Sequence, residues 1–145
     1  MSDKNINVCL VAPLPPPYGG ISHWTAMICR HAGIRKDIKL LLVNTAPRWR
    51  AIHDLAIWKR LVGGGLQFMR DMLMFCGVIL TRHPHVVHMT TSGQLSVVRD
   101  RGVMFVAALF HVPVVYHIHF GRVPQIAWEN SREWRFMARA MKKAQ

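Results

Sequence analysis

Apolar positions along this chain fall into two alternating patterns, short strand-like runs and longer stretches with helical spacing. The runs cover residues 8–12, 38–43, 86–89 and 114–118 and are largely aliphatic, as in strands buried on both faces of a parallel sheet. Residues 21–32 place Ile21, Trp24, Met27 and Ile28 at helical spacing, with Ser22 near the start and Gly33 as the expected stop. Residues 95–110 predict a further helix, ended by a short link to Pro113. Between the second and third strands lie about forty residues, room for a long loop and two helices. Those helices are expected at 51–62 and 66–81, separated by the Gly63-Gly64-Gly65 run. Residues 128–143 close the chain as one amphipathic helix. Trp134, Met137, Ala138 and Met141 form its apolar side, and Arg132, Arg135, Arg139 and Lys142 its basic side.

Strands separated by helices imply βαβ units with right-handed crossovers. The expected fold class is therefore α/β, a Rossmann-like parallel sheet with helices on both faces. No internal repeat or low-complexity tract interrupts it. The chain stops at Gln145 straight after a helix, where a doubly wound domain returns to a further strand, so the domain reads as truncated.

Size and composition agree with a single domain. At 145 residues and 51% hydrophobic residues the chain can bury one core and is not of the disordered class. Its longest apolar run, residues 72–80, is far short of the ~18 residues of a spanning helix. A signal peptide is not expected, because Asp3 and the strand-like run from Ile6 occupy its place. Cys9, Cys29 and Cys76 are odd in number and form no C-x-x-C pair, so they read as small buried hydrophobes of a reducing cytosol.

Charge changes the picture more. Nineteen Lys and Arg face seven Asp and Glu, a formal +12. That favours an anionic partner: nucleic acid, an acidic lipid surface or a phosphorylated substrate. Arg48-Trp49-Arg50 and Trp58-Lys59-Arg60 precede the apolar Phe68, Met69, Met72, Leu73, Met74 and Phe75, a mixture suited to an anionic lipid interface or to a core helix with solvated basic neighbours. No nucleic-acid motif is present, and nucleic acid is not expected as a partner.

Three clusters carry candidate chemistry. Gly19-Gly20 follows the first strand through Pro13-Leu14-Pro15-Pro16-Pro17-Tyr18 and precedes a helix. Such a turn brings bare amides and a helix N-terminus to a phosphate, or simply supplies a positive φ. It is not the dinucleotide fingerprint. G-x-G-x-x-G is absent, and the second strand ends in Asn44-Thr45 without the acidic residue that holds an adenosine ribose. His117 and His119 share one strand face. His119, beside Phe120-Gly121 at the strand mouth, is the better candidate to meet a substrate hydroxyl or phosphate, while His117 reads as a core histidine. A metal site with His85 or His88 lacks companion ligands and is not expected. Thr90-Thr91-Ser92-Gly93 follows the third strand, where it can cap the next helix or receive an anion, with capping the stronger reading.

The order and separation of these elements resemble the N-terminal half of group 1 (family four) glycosyltransferases with the GT-B fold. Val11-Ala12-Pro13 through Pro17-Tyr18-Gly19-Gly20-Ile21 carries the likeness, with Val86-Val87-His88-Met89-Thr90 and the helix from Leu95. Pro113-Val114-Val115-Tyr116-His117-Ile118-His119-Phe120-Gly121 completes it, so that it spans nearly the whole chain. In that family two Rossmann-like domains face each other across a cleft. The resemblance implies that Gly19 and Gly20 approach the donor diphosphate and that His119 contacts the transferred sugar. Tyr18, Ser92, Gly93 and Gly121 would bind substrate, with no metal and no further cofactor. Residues 1–145 would be the acceptor-side domain, without the family's C-terminal domain of paired glutamates and basic phosphate ligands. The implied partners are a nucleotide-sugar donor, a glycan or lipid-linked acceptor and an anionic membrane surface, in the cytoplasm or at the inner face of its membrane. The implied activity is hexosyl transfer in polysaccharide or glycolipid biosynthesis. The alternative is a non-catalytic acceptor-recognition subunit or a remnant that needs a partner subunit supplying the donor domain.

Overall fold

Each strand-like run forms a strand: β1 (Ile6–Ala12), β2 (Ile38–Asn44), β3 (Val86–Thr91) and β4 (Val114–Ile118). In this computed structural model, residues 5–16, 18–47, 57–92, 96–119 and 121–142 are described, without the side chains of 57–61, 133, 136 and 140. The strands make one parallel sheet in the order β2-β1-β3-β4. Val8 aligns with Leu40 and with Val86, and Thr90 with His117. The chain is thus an α/β, Rossmann-like sheet with helices on both faces.

Side chains alternate across the sheet, and the register sorts them into two layers. Cys9 and Val11, Val87 and Met89, Val43 and Val114 point to one face. There they meet Phe75 and Ile79 of α2 (Ile57–Arg82) and Val97, Val103, Met104 and Ala107 of α3 (Ser96–Leu109). Phe75 and Cys9 are fully buried, and the apolar surroundings push the Cys9 thiol up to about 12. Burying Phe75 alone contributes about 2–3 kcal/mol. α2 and α3 approach closely at Gly102, where an added Cβ would come within 3.1 Å of Met72 Sδ. The other face carries α1 (Gly20–Ala32), whose most buried residues are the small Ser22 and Thr25. Met27, expected on the buried stripe, is half exposed.

Two expectations are corrected. The glycine run at 63–65 does not divide the segment into separate helices: α2 runs through it without a break, and the expected residues 51–56 lie outside the described ones. A Cβ on any of these glycines would meet nothing within 4 Å, so they face open space. They weaken the helix by about 1 kcal/mol each relative to alanine, less than its packed face returns. The closing helix is instead two helices, α4 (Val123–Trp128) and α5 (Arg132–Met141). Asn130 adopts a left-handed φ of 45° between them, and Ser131 Oγ accepts a hydrogen bond from the Trp134 amide at 3.1 Å, restarting the helix. Within α5 the amphipathic reading holds, with Met137 fully buried and Arg132, Arg135 and Arg139 on the more open side. Among the described residues no helix is long and apolar enough to cross a membrane.

Candidate functional site

β1 is followed by a crossover to β2 on one side, while β3 lies on its other side. The carboxyl ends of β1 and β3 therefore splay at a topological switch point, where open α/β sheets receive ligands. A cavity of about 350 Å³ opens there. Its walls come from Pro13 after β1, Tyr18 to Ser22 at the start of α1, Thr45 and Pro47 after β2, Thr90 and Ser92 at the end of β3, and Ser96 and Arg99 of α3.

Neither glycine is present for a left-handed backbone. Gly19 is extended, at φ −174° and ψ 172°, and Gly20 opens the helix. A Cβ on Gly20 would meet nothing within 4 Å, so the space over it belongs to the cavity rather than to protein. Gly19, at the N-cap, offers no side chain to cap α1, and the first turn holds no acidic residue. The Ser22 hydroxyl turns back to the Gly19 carbonyl at 3.1 Å. The first-turn amides thus meet the cavity without a carboxylate to answer them.

Asn44 stands where a dinucleotide-binding sheet carries its acidic residue. Here its Oδ1 accepts from the Leu14 amide at 3.0 Å and the Ala46 amide at 2.9 Å. It ties the loop after β1 to the loop after β2 and holds the cavity's mouth.

Beneath the cavity lies a polar network that hydrophobic spacing and motifs do not reveal. Asp100 is fully buried on α3. Arg99 Nη2 donates to its Oδ1 at 3.0 Å and the Tyr116 hydroxyl to its Oδ2 at 3.0 Å. Burial pushes the Asp100 carboxyl above its ordinary range, against the pull of Arg99, Thr91 and Tyr116. Tyr116 is likewise raised, first by burial and then by the Asp100 charge. On α2 the buried Asp71 accepts from Gln67 Nε2 at 2.8 Å and is raised by burial, with Arg99 and Arg70 opposing. Asp100 therefore holds Arg99 by a hydrogen bond, and Asp71 attracts it by charge alone. Its Nε has no hydrogen-bond partner among the described residues, nor have Thr45 Oγ1 and Thr90 Oγ1, all three buried and on residues of the cavity wall.

The histidines gather on the α1 face. Trp24 packs against His88, His117 and His119 with ring centroids 5.6, 5.0 and 5.2 Å away, and His117 and His119 lie 4.0 Å apart. His88 and His119 are held below the usual imidazole range, first by burial and then by neighbouring imidazoles. Their Nε2 atoms are buried without a partner among the described residues. His85 is apart from this cluster, before β3, where its Nδ1 accepts from the Asn7 amide at 2.9 Å. Among the described residues no three His, Cys, Asp or Glu side chains are arranged to hold a metal ion.

The structure thus brings Tyr18, Gly19, Gly20 and Ser92 to one cavity. His119 lies outside its lining, packed on Trp24, the fifth residue of α1. Gly121 sits in an exposed turn before α4, while Gly93 and Phe120 lie outside the described residues. Thr91 Oγ1 meets Ser96 Oγ at 3.0 Å, in keeping with a role at the start of α3. Comparison of the chain with known protein families, curated proteins and solved structures finds no match.

Proposed function

We propose that this chain is the acceptor-side domain of a nucleotide-sugar-dependent glycosyltransferase of the two-domain GT-B type, serving polysaccharide or glycolipid assembly. The observation that carries the reading is the open space over Gly20 at the switch point, bordered by a helix N-terminus without a side-chain cap. A diphosphate fits that chemistry because backbone amides and the helix dipole both favour an anion that approaches closely. In this reading the amides at Gly20 and Ile21 meet the donor phosphates. Tyr18 and Ser92 border the sugar, and His119, packed on Trp24 beside the cavity rather than in its lining, is assigned to a sugar hydroxyl once its ring turns outward from Trp24. The donor-binding domain is supplied by further sequence or by a second chain, and transfer belongs to the combination.

Membrane association at the cytoplasmic face is included in the same proposal. Val62, Leu66, Met69, Leu73 and Leu80 are each more than half exposed and recur along one stripe of α2, in a chain of net charge +12.

Saturation-transfer NMR with a panel of nucleotide sugars tests the central point. The wild-type chain is expected to bind at least one, and Gly20→Val, whose side chain enters the cavity, to bind it at least tenfold more weakly. Equal binding by the two proteins, or no binding by the wild type, refutes the assignment.

A further inference from the structure

We propose that the cavity holds a phosphoryl group through a side-chain set on the wall contributed by β2, β3 and α3, namely Arg99, Thr90 and Thr45. The inference rests on the glycosyltransferase reading only for the identity of the molecule that carries the phosphate. Thr90 is 1% exposed and Thr45 5% exposed, yet neither hydroxyl has a hydrogen-bond partner among the described residues. Arg99 Nε is buried and unpartnered in the same way. Buried polar groups are paired in the great majority of folded proteins, so three orphan atoms on residues that line one cavity mark a missing partner, which these side chains reach by rotating toward the cavity.

The character of that partner follows from the donors. Arg99 gives an Nη2 hydrogen to Asp100, and its Nε–H is left to donate. A guanidinium edge and hydroxyls are all satisfied by an oxygen-rich anion, and Arg is the side chain best matched to phosphate geometry. Among the described residues no carboxylate lines the cavity, so none competes there for these donors. Neither Asp100 nor Asp71 lines the cavity. Asp100 orients the guanidinium, and both carboxylates offset part of its charge, so binding depends on hydrogen bonds more than on net charge. The volume of about 350 Å³ stands at the lower end of small-molecule sites, enough for a phosphorylated sugar but not for a long glycan.

The test uses the full chain and isothermal titration with inorganic phosphate, a hexose phosphate, the unphosphorylated hexose and a nucleoside diphosphate. Wild type is expected to bind phosphate and the hexose phosphate saturably and the neutral hexose at least tenfold more weakly. A hexose phosphate bound more tightly than the nucleoside diphosphate assigns the site to the acceptor, and the reverse order assigns it to the donor; both uphold a phosphoryl site. Thr90→Val and Thr45→Val each remove an orphan hydroxyl at nearly constant shape. Each is expected to keep or raise the melting temperature while weakening phosphate binding about tenfold, a combination that a purely structural hydroxyl would not give. Arg99→Lys retains the charge opposite Asp100 but loses the fork, and is expected to fold and to bind phosphate at least tenfold more weakly. Unchanged phosphate affinity in all three variants, or no phosphate binding by a folded wild type, overturns the proposal. Nucleotide-sugar binding that persists and still depends on Gly20 would leave the glycosyltransferase reading standing, so the two failures are told apart.

Discussion

The two faces of this sheet are built from different materials. Toward α2 and α3 the strands present Cys9, Val11, Val43, Val87, Met89 and Val114, all nearly inaccessible and packed as one cluster. Toward α1 and the strands' carboxyl ends they present His88, Thr90, His117 and His119, with Trp24 as the largest covering ring and two of the imidazoles short of a partner among the described residues. Val115 on that face remains half exposed. One face therefore stores stability through apolar burial. The other carries unpaired polar groups that cost about 1–3 kcal/mol each until something pairs them. The division is not complete, because the α2/α3 side also holds the buried Asp100 with Arg99 and Tyr116, a polar network set among its apolar side chains that reaches the cavity wall.

Substitutions sharpen that contrast, and the largest effect is expected in the apolar layer. Phe75→Ala removes a fully buried ring and should lower unfolding free energy by about 4 kcal/mol in denaturant titration. A loss below about 1 kcal/mol would mean that this layer is not the main store of stability. Asp100→Ala comes next. It strips Arg99 and Tyr116 of their common acceptor, and a loss of about 3 kcal/mol is expected because a partly buried guanidinium loses its counter-charge and the Tyr116 hydroxyl its carboxylate partner. Asp100→Asn should recover some of that loss, since the amide oxygen still accepts from one of the two.

Gly64→Ala works in the opposite direction. Gly64 is helical, exposed and free of neighbours, so the substitution should stabilise the chain by about 1 kcal/mol. Destabilisation would show that Gly64 does not occupy an open helical position.

The smallest effect is a pH slope on the histidine face. His88 and His119 have folded values below the ordinary 6.5, so the unfolded chain binds protons more readily than the folded one. The histidine contribution is fully present above 6.5 and is lost as pH falls from there through the folded values. Chemical denaturation between about pH 7 and 5 should show stability declining with acid, and His88→Phe should flatten the decline. An identical slope in the variant would remove His88 from the account.

Much of the fold is legible because hydrophobic spacing reports burial directly. The four strands, α1 and α3 appear at their expected positions within about two residues, since an unbroken aliphatic run has few ways to leave water other than a covered strand. The glycine run misled because glycine's cost is local and modest, while α2 is held by Phe75 and Ile79 several turns further along. The break before α5 was written in Asn130-Ser131, a left-handed residue followed by a helix cap, but the amphipathic periodicity on either side concealed it.

Candidate chemistry divides in the same way. Tyr18, Gly19, Gly20 and Ser92 were readable as neighbours because the switch point of a βαβ sheet follows from element order. Arg99, Asp100 and Thr45 were not, because a charged pair on a helix and a threonine after a strand look like solvated positions in one dimension. Periodicity along the chain determined which segments pair and which faces are apolar. Only the packing of α3 against the sheet decided that Asp100 is buried, that Arg99 is turned to the cavity wall and that three hydroxyl and guanidinium groups there lack partners among the described residues. The reason is physical: apolar burial is a property each segment carries with it, whereas an unsatisfied polar atom is defined by what every other segment fails to place beside it.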